Sequence, residues 1–226
     1  MSGDPLITPE RLGTREHILC VAERLFAEDG IDQISLRQIT QAAGQKNASA
    51  IHYHFGSKDA LVDAIYDLRM GAINLRRADM FAALQSQGKT EDLYALVDAV
   101  VQPLAECLLM SDPPNYYVQF AARAMEHPRY YKMAWKRGKA GRAFAQLFDA
   151  IEHALPDLPP EVFSQRFGMT LRQVFGELSV HHQTHLSGRS RGKANTALFV
   201  SNLVDSMTAA LAAPMSVRTR AQLSSS

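Results

Sequence analysis

An all-α chain is what the sequence predicts: an N-terminal three-helix unit joined through a long shared helix to a larger helical body. Three observations carry that prediction. Apolar residues recur every three or four positions, as in Ile18, Val21, Ala22, Leu25 and Phe26 near one end and Leu203, Val204, Met207, Ala210 and Leu211 near the other. From Glu91 onward no alternating run reads as a strand, and no segment repeats. Glycine and proline punctuate the periodic runs, at Gly13, Gly30, Gly44, Pro113-Pro114, Pro128 and Pro156.

At 226 residues, 46% hydrophobic and 21% charged, the chain has ordinary proportions for one sizeable core or two modest ones. Its 24 basic and 23 acidic residues leave a net charge of +1, so bulk charge does not argue for a nucleic-acid partner and only local distribution can. Cys20 and Cys107 lie in separate helical patterns, without a C-x-x-C or zinc-type spacing, as expected of buried thiols in a reducing compartment. The first residues lack a basic segment followed by an apolar core, and no apolar run approaches transmembrane length. The expectation is a cytoplasmic protein with no membrane partner.

Residues 1 to 13 read as an arm, broken by Pro5, Pro9 and Gly13. Thr14 is placed to cap the first helix, which runs to Gly30. Ser35 can cap the second, with Gln38 at the third position completing a capping box, and Leu36, Ile39 and Ala43 fall on one face. Gly44 ends it, because glycine readily takes the left-handed conformation of a helix terminus. A third helix follows over Ala48 to Tyr53. Helix, glycine-bearing turn and helix is the helix-turn-helix arrangement, whose second helix enters the DNA major groove. Ser57 caps a fourth helix reaching about Leu84, with Asp59 in its first turn, where the helix dipole favours an acid, and Lys58 directed to a phosphate. Ile31, Ile34, Leu36, Ile39 and Phe55 complete a small core, so Phe55 is read as packing.

Charge agrees with a nucleic-acid surface. Between Gln33 and Lys58 there is no acid, although Asp32 and Asp59 flank the stretch. Arg37, Lys46, Lys58, His52 and His54 lie within it, beside Gln38, Asn47, Ser49 and Tyr53, a set that meets phosphates without repulsion and offers hydrogen bonds to base edges.

The run from Thr14 to about Leu61, above all AAGQKNASAIH followed by YHFGSKDAL, resembles the DNA-binding domain of the TetR/AcrR family of bacterial transcriptional regulators. Two features depart from the family pattern. Between Gly44 and His54-Phe55 the chain carries one residue more than the common spacing, and His52 fills the position of the usual tyrosine, with Tyr53 at the variable one. The resemblance implies base-edge contacts from Arg37, Asn47, Ser49 and His52. It implies phosphate contacts from Thr14, Ser35, Tyr53, His54 and Lys58, with Gln38 and Lys46 in the same surface.

Beyond the fourth helix, QSQGKT at Gln85 to Thr90 is a break. Leu93, Leu96, Val97, Val100, Val101, Leu104, Ala105 and Leu108 mark a helix stopped by Pro113-Pro114, and Tyr116 to Glu126 forms another, stopped at His127-Pro128. One long helix is expected from Arg129 to about Leu155, with Arg129, Lys132, Lys136 and Lys139 along one side as a solvated face. Phe163 to His185 and Leu198 to Leu211 supply the last two helices, separated by the basic loop Ser187 to Lys193, and Ser216 onward reads as a flexible tail. His181 and His185 are one turn apart, but without an intervening Glu or a third ligand they carry no metal site, and no cofactor is expected.

The resemblance therefore implies residues 1–58 as the DNA-binding domain, 59–215 as a helical ligand-binding and dimerisation domain, and 216–226 as the tail. It implies a homodimeric repressor released from a palindromic double-stranded DNA operator by a small, largely apolar effector. Val101, Leu104, Leu108, Tyr117, Phe120, Phe144, Phe148, Phe167 and Leu171 are the candidate pocket. Leu171, Val174, Phe175, Leu178, Leu203, Met207 and Ala210 are the candidate dimer face. Two other readings stay open: a helical protein-binding module that never touches DNA, which the acid-free stretch disfavours, and a small-molecule enzyme, for which no G-x-S-x-G, phosphate loop or paired nucleophile is found.

Overall fold

A computed structural model describes residues 13–45, 50–109, 115–131, 141–186 and 193–223. Among the described residues every regular element is helical: α1 Thr14–Asp29, α2 Leu36–Ala42, α3 Ala50–Phe55, α4 Lys58–Ser86, α5 Leu93–Leu109, α6 Tyr117–Glu126, α7 Gly141–His153, α8 Pro160–Leu186, α9 Lys193–Ala212 and α10 Val217–Leu223.

The head is built as its periodicity requires. Ile18, Leu19, Ala22 and Phe26 of α1 are buried with Ile31, Ile34, Ile39, Ile51, Leu61 and Ile65, so that α1 backs both short helices and the start of α4. Thr14 does not cap α1. The extended residue is Gly13, and Thr14 is already the first helical one, because the first intrahelical bond runs from the His17 amide to the Gly13 carbonyl, at 3.0 Å. Gly30, with φ of 93°, ends α1.

Helix α4 belongs to head and body alike. The Ser57 hydroxyl accepts from the Ala60 amide at 3.1 Å, and the 29 residues that follow span about 43 Å, enough to start in the head and continue into the body. Its first turns pack on α1 and α3, and later turns pack on α5 and α7. Helix α6 packs against both α1 and α8, and α9 against α5 and α8. The body core is aromatic. Phe148 has ring centroids 5.0 Å from Phe163 and 4.9 Å from Phe167, and Phe144 is 5.9 Å from Phe167.

Two expectations change. No single helix runs from Arg129 to Leu155: residues 128–131 are helical, but Gly141 has φ of 79°, and a Cβ there would sit 2.5 Å from the Asn74 amide nitrogen. A left-handed residue cannot lie inside a regular α-helix, so the chain turns there and α7 starts anew. Of the basic side, Lys132, Lys136 and Lys139 lie outside the described residues, while Arg129 turns onto Asp59. Second, the tail is helical over Val217–Leu223, capped by the Ser216 hydroxyl accepting from the Thr219 amide at 3.1 Å, with no buried residue. Helix α5 contains Pro103, which lacks the amide that would bond the Ala99 carbonyl. Next to this defect the buried Arg77 donates to the Val100 carbonyl at 3.1 Å and lies 4.9 Å over the Phe144 ring.

Candidate nucleic-acid interface

The α2–α3 unit is held by local chemistry first. The Ser35 amide and hydroxyl both donate to Gln38 Oε1, at 2.8 and 2.7 Å, and the Gln38 amide donates back to the Ser35 hydroxyl at 3.3 Å. The box starts α2 as expected, and it engages the Ser35 hydroxyl and the Gln38 carbonyl internally. Gly44, with φ of 64°, turns the chain, and the Gln45 amide closes the end of α2 on the Thr40 carbonyl at 3.1 Å. Ile39, Ala43 and Ile51 are buried beneath, anchoring α2 and α3 to the head.

Helix α3 extends past Tyr53 to Phe55, because the residue that breaks it is Gly56, with φ of 74°. Its end is closed reciprocally. The Gly56 amide donates to the His52 carbonyl at 3.0 Å, and the His52 ring meets the Gly56 carbonyl through Nδ1, also at 3.0 Å.

On this frame Arg37 and His52 are exposed, and Tyr53 is 85% exposed. His54 is half-buried between the Tyr53 and Phe55 rings, with centroids 5.2 and 6.1 Å away. Thr14 is exposed at the start of α1, while Lys46, Asn47 and Ser49 lie outside the described residues. Lys58 is not directed outward. Its ammonium donates to the Asp32 carbonyl at 3.3 Å and lies 5.9 Å from the Phe26 ring centroid. Burial pushes its pKa down, against the Asp32 and Asp59 carboxylates, which push it up. No local pattern points to Arg15, whose guanidinium stands 5.1 Å over the Phe55 ring and adds a cation beside α3.

The two acids that flank the acid-free stretch are both held by the body. His127 Nε2 lies 3.1 Å from the Asp32 carboxylate, Arg129 pairs with Asp59, and the Tyr130 hydroxyl donates to Asp59 at 3.3 Å. Burial is the first cause that pushes the Tyr130 phenol pKa up, and Asp59 is the second. At the other end of α6 the Tyr116 amide donates to the buried Glu23 at 2.9 Å, and Arg69 grips the same carboxylate at 2.7 and 3.0 Å. Helix α6 is thus fastened to the head at both ends.

The candidate pocket residues whose side chains are described are part of one hydrophobic core or packed against it. Tyr117 and Phe120 sit at the junction with the head, 6.3 and 5.3 Å from Tyr66, and Phe120 is 6.3 Å from Phe26. Phe144, Phe148 and Phe167 belong to the α7–α8 cluster, Val101, Leu104 and Leu171 are buried, and the Leu108 side chain lies outside the described residues. None of them lines the cleft of about 370 Å³ between the α7–α8 loop and the end of α9, formed by Leu155, Leu158, Leu211, Met215 and Arg220 among others.

Six of the seven residues read as a dimer face, Leu171, Val174, Phe175, Leu178, Leu203 and Met207, are buried within the single chain, and Ala210 is half-buried. They are the stripes that hold α8 and α9 to the rest of the body. Met169, Val180 and Leu198 lie on the opposite, exposed faces. His181 stacks on Phe199 with centroids 4.1 Å apart, and its Nε2 meets the Thr196 hydroxyl at 3.1 Å. The His185 side chain lies outside the described residues. Among the described residues no group of three or more possible metal ligands converges, and no single helix is long and apolar enough to cross a membrane.

Comparison with known proteins agrees with this architecture. Residues 18–65 match the family described as "Bacterial regulatory proteins, tetR family", and residues 98–210 match "Tetracyclin repressor-like, C-terminal domain". The chain is 46% identical over 100 residues to the HTH-type transcriptional regulator AcrR of Shigella flexneri, covering 43% of this chain and 46% of that one. It is 41% identical over 58 residues to the HTH-type transcriptional repressor KstR2 of Rhodococcus jostii, covering 26% of this chain and 28% of that one. The chain therefore matches less than half the length of these two relatives. The crystal structure of Mycobacterium smegmatis AmtR shares the fold across 97% of this chain and 98% of that one, with a TM-score of 0.53 at 16% identity. Head and body are each matched, and the body match alone spans half of the chain, so the protein belongs to the TetR/AcrR family of bacterial transcriptional regulators, DNA-binding proteins rather than enzymes.

Proposed function

We propose that the protein is a homodimeric, effector-responsive repressor working in the cytoplasm, in which each subunit lays α3 into the major groove of one half of a palindromic operator. One observation carries this reading. The α2–α3 face is acid-free and exposes Arg37, His52 and Tyr53, while the acids on its borders, Asp32 and Asp59, are paired by the body. Arg37 is the base-reading residue, since a guanidinium bonds guanine in a bidentate way, and Asn47 and Ser49 are further base-edge candidates. Thr14, Tyr53, His54, Lys46 and Lys58 set register on the phosphates, Lys58 after release from the Asp32 carbonyl, and the capped Ser35–Gln38 pair shapes α2.

Release follows from the same geometry. An apolar effector lodged against Tyr117 and Phe120 acts on α6, and α6 is fastened to Glu23, Asp32 and Asp59 of the head. A shift of α6 then changes the angle of the head, provided the effector favours the shifted state. Repression is supported by the relative from Rhodococcus jostii, a transcriptional repressor. Dimerisation is supported by the exposed Met169, Val180 and Leu198 on α8 and α9. The division at residues 58 and 215 is retained, with α4 shared across the first boundary.

The test is a fluorescence-anisotropy titration against DNA flanking the protein's own gene, at several salt concentrations, with unrelated DNA as control. Saturable, salt-sensitive binding to one flanking fragment, about 1,000-fold or more tighter than to the control, is expected. Absence of binding at low salt sinks the reading.

A further inference from the structure

The His52 ring is oriented by its own helix. A carbonyl oxygen can only accept, so the 3.0 Å contact with Gly56 requires that Nδ1 carry the hydrogen. In the neutral ring that leaves Nε2 as a bare acceptor on the far side of an exposed imidazole. The contact lies at the C-terminal end of α3, and in a docked recognition helix the N-terminal residues reach base edges. A side chain at the last turn meets the sugar-phosphate backbone instead. A phosphate oxygen is acceptor-only, and a neutral His52 offers it nothing. A second proton on Nε2 turns the same ring into a cationic donor without moving it, because the Nδ1 bond to Gly56 is kept.

We propose that His52 is a proton-linked phosphate contact, made by the imidazolium and absent in the neutral form. The inference rests on the DNA-binding reading above and moves His52 from base reading to backbone binding. Among the described residues, the charged and titratable groups on α3 and on the helices next to it include Arg15 on α1, Arg37 on α2, Lys58, Asp59 and Asp63 at the start of α4, and Tyr53 and His54 on α3 itself. Of these, Asp59 is engaged by Arg129 and Tyr130, and Lys58, once released from the Asp32 carbonyl, is a separate phosphate contact that the His52 variants leave in place.

The test uses the full chain and a duplex selected by the wild type from a random-sequence pool, titrated over a range of salt at about pH 8 and about pH 5.5, limits that bracket the charge change of histidine. Expected for the wild type is a tightening of about tenfold on acidification. The slope of log K against log salt steepens at the same time by about one per subunit, the signature of one further phosphate contact. In His52→Asn, which keeps a donor for Gly56 and lacks the ε nitrogen, both changes disappear. His52→Gln supplies a neutral donor at the ε position, and its slope stays constant with pH. Thermal melts confirm that both variants fold. Persistence of the steepening in the variants assigns the proton to another histidine and overturns the proposal, as does a wild-type slope that ignores pH. Failure of the wild type to select any duplex, at either pH, overturns the DNA-binding reading itself.

Discussion

Asp59 in the first turn of α4 accepts a hydrogen bond from the Tyr130 hydroxyl, 3.3 Å away, beyond the end of α6. Arg129 pairs with the same carboxylate, and His127 Nε2 donates to Asp32 at 3.1 Å while its Nδ1 accepts from the Arg129 amide at 3.2 Å. A run of four residues of the body therefore holds both ends of the acid-free stretch in the head.

Arg129→Ala is expected to cost less than about 1 kcal/mol of global stability, because the pair is partly exposed and screened. Its larger effect is on the head. Hydrogen exchange of α2 and α3 amides is expected to speed up while the body is unchanged. Uniform exchange across the chain would deny Asp59 and Arg129 a role in joining the two parts. DNA affinity in this variant should change without a change in salt slope, since Arg129 lies on the body.

Arg37→Ala and Lys58→Ala should separate base reading from phosphate binding. The first is expected to relax preference at one base pair by about 1 to 3 kcal/mol. The second weakens all sequences alike and lowers the salt slope by about one. Competition titrations against single-base operator variants distinguish the two patterns. An unchanged sequence preference in Arg37→Ala removes it from base reading.

Gly141→Ala is expected to destabilise by about 1 to 3 kcal/mol, because φ of 79° strains any side chain and the new methyl overlaps the Asn74 amide. Adding Asn74→Ala relieves the overlap and leaves the backbone term, so the double variant recovers only part of the loss. Urea melts of the four proteins give that partition; full recovery would place the whole cost in the overlap.

Tyr66→Phe should stabilise the protein or leave it unchanged within about 1 kcal/mol. The Tyr66 hydroxyl is buried without a hydrogen-bond partner among the described residues, and burial pushes its pKa well above the usual phenol range. Removing a buried group that makes no bond forfeits nothing, whereas loss of a satisfied one costs roughly 1 to 3 kcal/mol. A fall of that size in chemical denaturation would mean that the hydroxyl is satisfied in solution.

Asp98→Asn tests a pH dependence with a defined sign. Burial, then Glu106, pushes the Asp98 pKa up, so the folded state disfavours its ionised form. Its contribution is therefore neutral below the unfolded range, about 3.9, and turns unfavourable as pH rises through the raised folded value. The asparagine variant is expected to be more stable than the wild type at pH 7, with the gain gone at pH 3. An equal difference at both pH values would assign it to hydrogen bonding rather than charge.

Much of the head was legible because its signals are local. Ser35 and Gln38 close their box across three residues, Ser57 caps α4 across three, and Gly44 stops a helix by its own backbone freedom. Thr14 failed as a cap because Gly13 does the same work one residue earlier through its backbone alone. The long helix after Arg129 failed for a different reason: apolar periodicity continues across Gly141, and only the approach of Asn74 shows why the chain must turn there.

By itself, the sequence determined the all-α class, the helix-turn-helix and the family, since each depends on spacing within a few residues or on a contiguous motif. Tertiary structure decided everything that depends on partners far along the chain. Tyr116 meets Glu23 across 93 residues and Tyr130 meets Asp59 across 71, and these pairings turn α6 into a bridge to the head. Structure also decided that Leu171, Val174, Phe175 and Leu178 lie inside one chain and that Lys58 folds back onto Asp32. An apolar stripe records that a face is covered, and a lysine that a charge is present. What covers the face and where the charge points are set by packing between helices, which no local spacing encodes.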